Sequence, residues 1–323
     1  MEVTGACNLR CRMCLVRYSP AVGRREGALS YEDFLALVEG LPELRKLTLQ
    51  GLGEPLLSPH LLDMVRHAAS RGVEVGFNSN GTLLTRPVAE ELVEAGLGWL
   101  HVSLDGATAA TYEEVRHGTD FRARSGQFDR VVSNLRGLVA ARNGAERPRI
   151  QLVFVAMRRN VRELPALVEL AADVGVDSVW VQNLSHDFGD TGASERYGPM
   201  REYVDEEALF GSLRAGVIFD TAAKRADELG LELRLPHLDE SGPREDDPRG
   251  CSWPWDSAYV THRGEVQPCC MVMGSDRATL GNLADEGFGE IWRGPRYESF
   301  RERLLGDTPP DVCAGCSLYR RVF

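Results

Sequence analysis

The amino-acid sequence predicts an α/β protein: an open, partial (βα)6 barrel followed by a smaller α+β segment. Two observations carry this. Short apolar runs alternate with amphipathic stretches, the order that produces parallel strands joined by helical crossovers. Six such units are too few for a closed eight-unit barrel, and turn-rich loops leave the downstream end of each run, where barrel enzymes keep their function. A third observation concerns chemistry. The eight cysteines gather near the two ends of the chain, three between positions 7 and 14 and five between 251 and 316.

Glu2 to Gly5 reads as a first strand feeding the loop Cys7-Asn8-Leu9-Arg10-Cys11-Arg12-Met13-Cys14. Ser30 caps a helix whose apolar stripe is Phe34, Leu35, Leu37 and Val38, and Gly40 ends it. Lys46 to Gln50 is the second strand, followed by the turn Gly51-Leu52-Gly53-Glu54-Pro55. Ser58-Pro59 should open the next helix, closed by Gly72. Val73 to Phe77 is the third strand, then Asn78-Ser79-Asn80-Gly81; a helix lies around Pro87 to Ala95. Trp99 to Ser103 is the fourth strand, followed by Leu104-Asp105-Gly106. A long helix at Phe128 to Ala141, a fifth strand at Ile150 to Ala156, a helix at Val161 to Val174 and a sixth strand at Ser178 to Gln182 complete the pattern. Asn183 to Tyr203 is a long polar loop. A helix from Glu206 to Leu229 and a strand at Glu232 to Leu235 lead to a polar linker, Asp239 to Gly250, where the domain boundary is placed: 1–238 and 239–323.

The 323 residues are 43% hydrophobic and 26% charged with a net charge of −11. This composition suits a globular enzyme and shows no basic stripe, which argues against nucleic acid and anionic membranes as partners. No apolar run approaches the ~18 residues of a membrane helix. With no export signal before Cys7, a cytoplasmic location is expected, and the cysteines point to metal or catalysis rather than disulfides.

The C-x3-C-x2-C spacing of Cys7, Cys11 and Cys14 aims three thiolates at one centre. A four-iron cluster asks for four ligands, so three would leave one iron open. Zinc is the alternative, although zinc sites more often pair C-x2-4-C with a second pair. This loop resembles that of the radical S-adenosylmethionine (SAM) superfamily. The resemblance implies a [4Fe–4S] cluster whose open iron is chelated by SAM, and cleavage of SAM to a 5′-deoxyadenosyl radical that abstracts hydrogen. Leu52-Gly53-Glu54 resembles the family's Gly-Gly-Glu motif with its first glycine replaced. Gly53 and Glu54 are thereby expected at the SAM amino group, where a carboxylate facing an ammonium makes a charge-assisted hydrogen bond. Ser79 and Asn80 resemble the T-N-G segment near the SAM carboxylate and ribose, and Ser103 and Asp105 the S-L-D-G segment. Gln182 stands where the sixth strand often backs the adenine.

The second set of thiols, Cys251, Cys269, Cys270, Cys313 and Cys316, resembles the SPASM extension of the same superfamily, in its C-x12-G-x4-C opening, Leu280-Gly281-Asn282-Leu283 and Cys313-x2-Cys316. The resemblance implies a twitch/SPASM-type domain. Seven residues follow Cys316, and the count favours one auxiliary [4Fe–4S] cluster held by Cys251, Cys269, Cys313 and Cys316; four thiolates would also satisfy zinc. Cys270 is left over as a candidate hydrogen-atom donor, a spare thiol or a substitute ligand. Trp253, Trp255 and Asp256 flank the first of these cysteines. His186, Asp187 and Asp190 are candidate substrate contacts, as are Arg158 and Arg159.

The expected function is two-electron oxidation of a sugar or aminocyclitol-like small molecule, with an external flavodoxin or ferredoxin as electron donor. Radical epimerisation through Cys270, modification of a peptide, and a non-catalytic zinc protein are the alternatives.

Overall fold

The computed structural model describes residues 1–14, 27–116, 126–184, 189–191, 195, 197–198, 213–236, 250–272 and 274–320. Six parallel strands, β1 (Lys46–Thr48), β2 (Glu74–Ser79), β3 (Trp99–Ser103), β4 (Arg149–Val155), β5 (Ser178–Gln182) and β6 (Glu232–Arg234), form one sheet in sequential order. Sequential parallel order without closure is the expected partial barrel. The count of six holds, but the membership shifts by one. The strand at Glu232 is the sixth member of the sheet. The Glu2–Gly5 segment is not a strand; it runs along the β1 edge, with Met1 N–H donating to Thr48 O at 2.8 Å and Gln50 N–H to Met1 O at 2.9 Å.

Helices α1 (Tyr31–Glu39), α2 (Leu61–Ser70), α3 (Arg86–Glu94), α4 (Ala109–Val115), α5 (Gln127–Arg142), α6 (Leu164–Val174) and α7 (Leu213–Leu229) alternate with these strands. Ser30 caps α1 as expected, its side chain accepting the Asp33 N–H. The Ser58-Pro59 expectation fails. A 3-10 turn, Pro55–Leu57, intervenes, and α2 begins three residues after Ser58 with His60 as its cap.

Alternation within the strands divides the sheet. Val75, Phe77, Leu100, Val102, Ile150, Leu152, Phe154, Val179 and Val181 pack with Met64, Leu92, Leu135 and Leu167 of the helices in the main core. The opposite face is polar and aromatic. His101 lies 4.3 Å from the Trp99 ring and 4.8 Å from the Trp180 ring, and its Nε2 meets Gln151 Oε1 at 2.5 Å. Gln151 in turn donates to Ser178 at 2.8 Å.

After residue 250 a second, smaller core forms around Val260, Val266, Val272, Ile291, Tyr297 and Leu304. It holds α8 (Trp253–Asp256), α9 (Phe288–Arg293), α10 (Pro295–Leu305), α11 (Asp311–Ala314) and an antiparallel sheet of β7 (Tyr259–Val260), β8 (Glu265–Gln267) and β9 (Gly281–Asn282). The expected boundary at 238/239 lies outside the described residues. The two parts meet at a buried pair 260 residues apart, Glu2 Oε2 and His262 Nδ1 at 2.8 Å. No helix among the described residues is long and apolar enough to cross a membrane.

Candidate functional site

The thiol loop is anchored by its non-cysteine atoms. Asn8 Oδ1 accepts from Asn80 Nδ2 at 2.8 Å, and Asn8 Nδ2 donates to Thr82 Oγ1 at 2.8 Å. Arg12 donates from its backbone N–H to Val115 O at 3.0 Å and from Nε to Glu114 O at 3.1 Å. The loop is thereby fixed to the downstream end of β2 on one side and to the end of α4 on the other. Cys7 Sγ accepts the Leu9 N–H at 3.5 Å.

The Gly53-Glu54 turn docks on the same loop. Glu54 N–H donates to Ala6 O at 2.8 Å. A side chain at Gly53 would collide with the carbonyl oxygens of Thr4 and Ala6, so the turn needs glycine there. Gly51 is needed for a different reason: a side chain on it would run into Glu2. The Glu54 carboxylate is 2% exposed. Oε1 accepts from Ser79 Oγ at 2.7 Å and Leu56 N–H at 3.2 Å, and Oε2 from Asn80 N–H at 2.7 Å. Burial raises its pKa, against the hydrogen bonds from Asn80, Ser79 and Leu56. A carboxylate has about four acceptor positions and three are used, so the group can take one more donor, and a cationic one would offset its burial.

Ser103 and Gln182 end β3 and β5. Both are partly exposed, and among the described residues their side chains carry no hydrogen bond. Asp105, expected at SAM, is instead fully buried and engaged within the protein. Its Oδ1 accepts the Val155 N–H at 2.8 Å and its Oδ2 pairs with Arg116 Nε at 2.5 Å. Arg116, which sequence reasoning missed, reaches Cys11 Sγ with Nη1 at 3.9 Å. Tyr112 Oη is buried with no hydrogen-bond partner among the described residues. Of the other candidates, Arg159 pairs with Glu114 at 2.7 Å and Arg158 is exposed. Asp190 falls in a short 3-10 turn, Gly189–Thr191, and His186 and Asp187 lie outside the described residues.

The donor set at the N-terminal loop fits an iron–sulfur cluster. Three thiols from one loop lie close enough to perturb one another, and burial pushes Cys7 and Cys11 up to about 12. Buried neutral thiols of this kind give up their protons to a metal. The C-terminal thiols also converge. Burial raises Cys269 well above its ordinary value, with Cys270, Cys316 and Cys313 adding to the shift, and it raises Cys313, with Cys316 and Cys251 adding. Cys313 and Cys316 are held by α11 and the turn after it, where Cys316 N–H donates to Cys313 O at 3.1 Å. Cys269 precedes the 3-10 turn Cys270–Val272. Burial brings Cys270 to about 11, with the Met1 amino group opposing the shift and Cys316 and Cys251 adding to it. Among the described residues no group of three or more His, Cys, Asp or Glu side chains is placed to hold a metal ion as it stands.

Comparison with known proteins agrees with this geometry. The family model for the radical SAM superfamily matches residues 1–171, and that for the SPASM iron–sulfur cluster-binding domain matches residues 251–317. The tungsten-containing aldehyde ferredoxin oxidoreductase cofactor-modifying protein of Pyrococcus furiosus is 28% identical, across 98% of this chain and 86% of its own length. The AdoMet-dependent heme synthase of Methanosarcina barkeri is also 28% identical, across 98% and 89%. The structure of Streptococcus suis SuiB bound to S-adenosylmethionine shares the fold, with a TM-score of 0.70 at 14% identity over 99% of this chain and 70% of that one.

Proposed function

The chain belongs to the radical SAM superfamily, and from that membership we propose that it oxidises a small organic molecule by two electrons. Cys7, Cys11 and Cys14 hold the SAM-binding [4Fe–4S] cluster, and Cys251, Cys269, Cys313 and Cys316 hold one auxiliary cluster. When bound, these groups supply a strong reductant, a carbon radical that removes one substrate hydrogen, and an acceptor for the electron left behind.

The protein's part is orientation. The observation that supports this reading most directly is the Asn8–Asn80–Thr82 network, which fastens the thiol loop to the end of β2, where Ser79 and Asn80 also bind the Glu54 carboxylate from the turn after β1. The Glu54 carboxylate, with spare acceptor capacity, lies close enough to Cys7 to raise its pKa, and two further polar strand ends belong to the same parallel sheet. Glu54 takes the SAM ammonium, and Ser79 and Asn80 hold Glu54 in place. Ser103 and Gln182 present unengaged hydrogen-bonding groups from β3 and β5. Substrate lies over the polar face of the sheet. There Gln151 donates its amide N–H to Ser178, so its oxygen receives the Nε2–H of His101. Burial lowers His101 to about 4, so its ring stays neutral at physiological pH and offers Nδ1 as an acceptor.

Relatives aligned across nearly the whole chain include proteins named for modifying a cofactor, for making heme and for cyclising a peptide; the first two support an organic cofactor precursor as substrate. An external flavodoxin or ferredoxin is the proposed electron donor. The test is anaerobic turnover with such precursors and SAM. Oxidation predicts one 5′-deoxyadenosine per product two electrons more oxidised than its substrate, with Cys270→Ala close to unmodified in rate. A product isomeric with its substrate, lost in Cys270→Ala while SAM cleavage persists, would replace oxidation by epimerisation.

A further inference from the structure

One buried cation meets the N-terminal thiol loop. Arg116 is the residue after α4 and is 8% exposed. Its Nε is bound to Asp105 Oδ2 at 2.5 Å, and its Nη1 lies 3.9 Å from Cys11 Sγ. Neither end of this chain of contacts is free to move. Asp105 takes the Val155 N–H on its other oxygen, and its backbone carbonyl accepts from Asn160 Nδ2 at 3.2 Å. The thiol loop is fastened to the same helix end through Arg12, on Glu114 O and Val115 O. The guanidinium therefore stands between a fixed carboxylate and a fixed sulfur.

We infer that Arg116 sets the reduction potential of the N-terminal cluster and that Asp105 is the residue that positions it. The inference rests on the cluster assignment made above. Arginine keeps its charge at every accessible pH. One-electron reduction adds negative charge to the cluster, and a nearby cation in a poorly screened interior stabilises the reduced form. Hydrogen bonds to the ligating sulfurs raise cluster potentials in the same direction. Asp105 carries the opposite charge, but it pairs with Nε, whereas Nη1 is the atom that meets the Cys11 sulfur. Its field reduces the effect of Arg116 without reversing it.

This arrangement makes a prediction of sign that a merely structural role would not. Arg116→Gln removes the cation and makes the cluster harder to reduce, by about tenfold in the one-electron equilibrium, or 59 mV. Arg116→Lys keeps the charge and much of the native potential. Asp105→Asn removes the opposing charge, leaves the cation, and makes the cluster easier to reduce.

The experiment is an EPR-monitored redox titration of anaerobically reconstituted full-length protein at matched iron and sulfide content. The N-terminal cluster is recognised by the change in its signal on adding SAM, and no substrate is needed. A lower potential in Arg116→Gln together with a higher one in Asp105→Asn supports the inference. An unchanged potential in Arg116→Gln, or shifts of the same sign in both variants, overturns it. If Arg116→Gln fails to take up iron, Arg116→Lys and Asp105→Asn decide: a potential in Asp105→Asn at or below native is then the contrary result. Unmodified protein with no SAM-responsive signal would instead sink the cluster assignment, so the two failures are distinct.

Discussion

The two thiol sites are built in opposite ways. At the N-terminus all three sulfurs come from one eight-residue loop, and the surrounding sheet only has to hold that loop in place through Asn8, Ala6 and Arg12. At the C-terminus the sulfurs come from Cys251, from the end of the β8 segment and from the α11 turn. They are gathered by a small core of Val266, Ile291 and Tyr297. Burial does not separate the two sites, since Cys11 and Cys316 are buried and the other thiols half-buried; the number of thiols does, because three would leave one iron of a four-iron cluster open and four would close it. The two parts of the chain meet at Glu2, which takes the Leu52 N–H at 3.2 Å from the turn that carries Gly53 and Glu54, and the His262 backbone N–H at 3.2 Å and imidazole from the other part.

The sharpest way to break this comparison is to remove the assembled site alone. Cys313→Ala with Cys316→Ala should lower substrate oxidation by more than about 100-fold, beyond the range of outer-shell changes around a metal. Cleavage of SAM to 5′-deoxyadenosine without substrate should stay near that of the unmodified protein. Loss of both activities together would show that the sites are not separable. Next in size is Gly53→Ala. The new methyl meets two backbone carbonyls, and such overpacking costs about 1–3 kcal/mol. Thermal unfolding should show the loss, and SAM binding should weaken with it; a neutral result would mean that the turn is not held against Thr4 and Ala6.

Glu2→Gln tests the joint. Although burial opposes it, the hydrogen bond and charge of His262 hold the Glu2 carboxyl below its ordinary range. A lowered pKa in the folded state stabilises the protein above the unfolded value of about 4.3, and that stabilisation is lost as pH falls through the lowered value. The unmodified protein should therefore exceed Glu2→Gln in stability at neutral pH by about 1–3 kcal/mol. The gap should close in acid. A gap that stays constant from pH 7 to about 3 would contradict a Glu2 carboxyl held ionised by the fold.

How much could be read in advance follows the same division. Cys7, Cys11 and Cys14 announce themselves because their geometry is local, and so does the turn at Ser79-Asn80. The alternation of strands and helices specifies the parallel sheet, but the pattern of Glu2–Gly5 reads as a strand whose place in the sheet belongs to Glu232–Arg234, because edge pairing leaves no mark in composition. Asp105 carried a familiar motif, yet its partner Arg116 is set by where α4 stops, and α4 is a seven-residue helix with no strong sequence signal. Glu2 and His262 are 260 positions apart, and nothing in either local pattern points to the other.

The central claim is that the first three cysteines hold a SAM-binding iron–sulfur cluster. Its most direct test is the iron content and SAM cleavage of anaerobically reconstituted protein beside the Cys7→Ala/Cys11→Ala/Cys14→Ala variant, with a strong reductant present. The account predicts that the variant loses about four irons per chain and forms no 5′-deoxyadenosine. Equal iron in the two proteins, or deoxyadenosine formed by the variant, would contradict it.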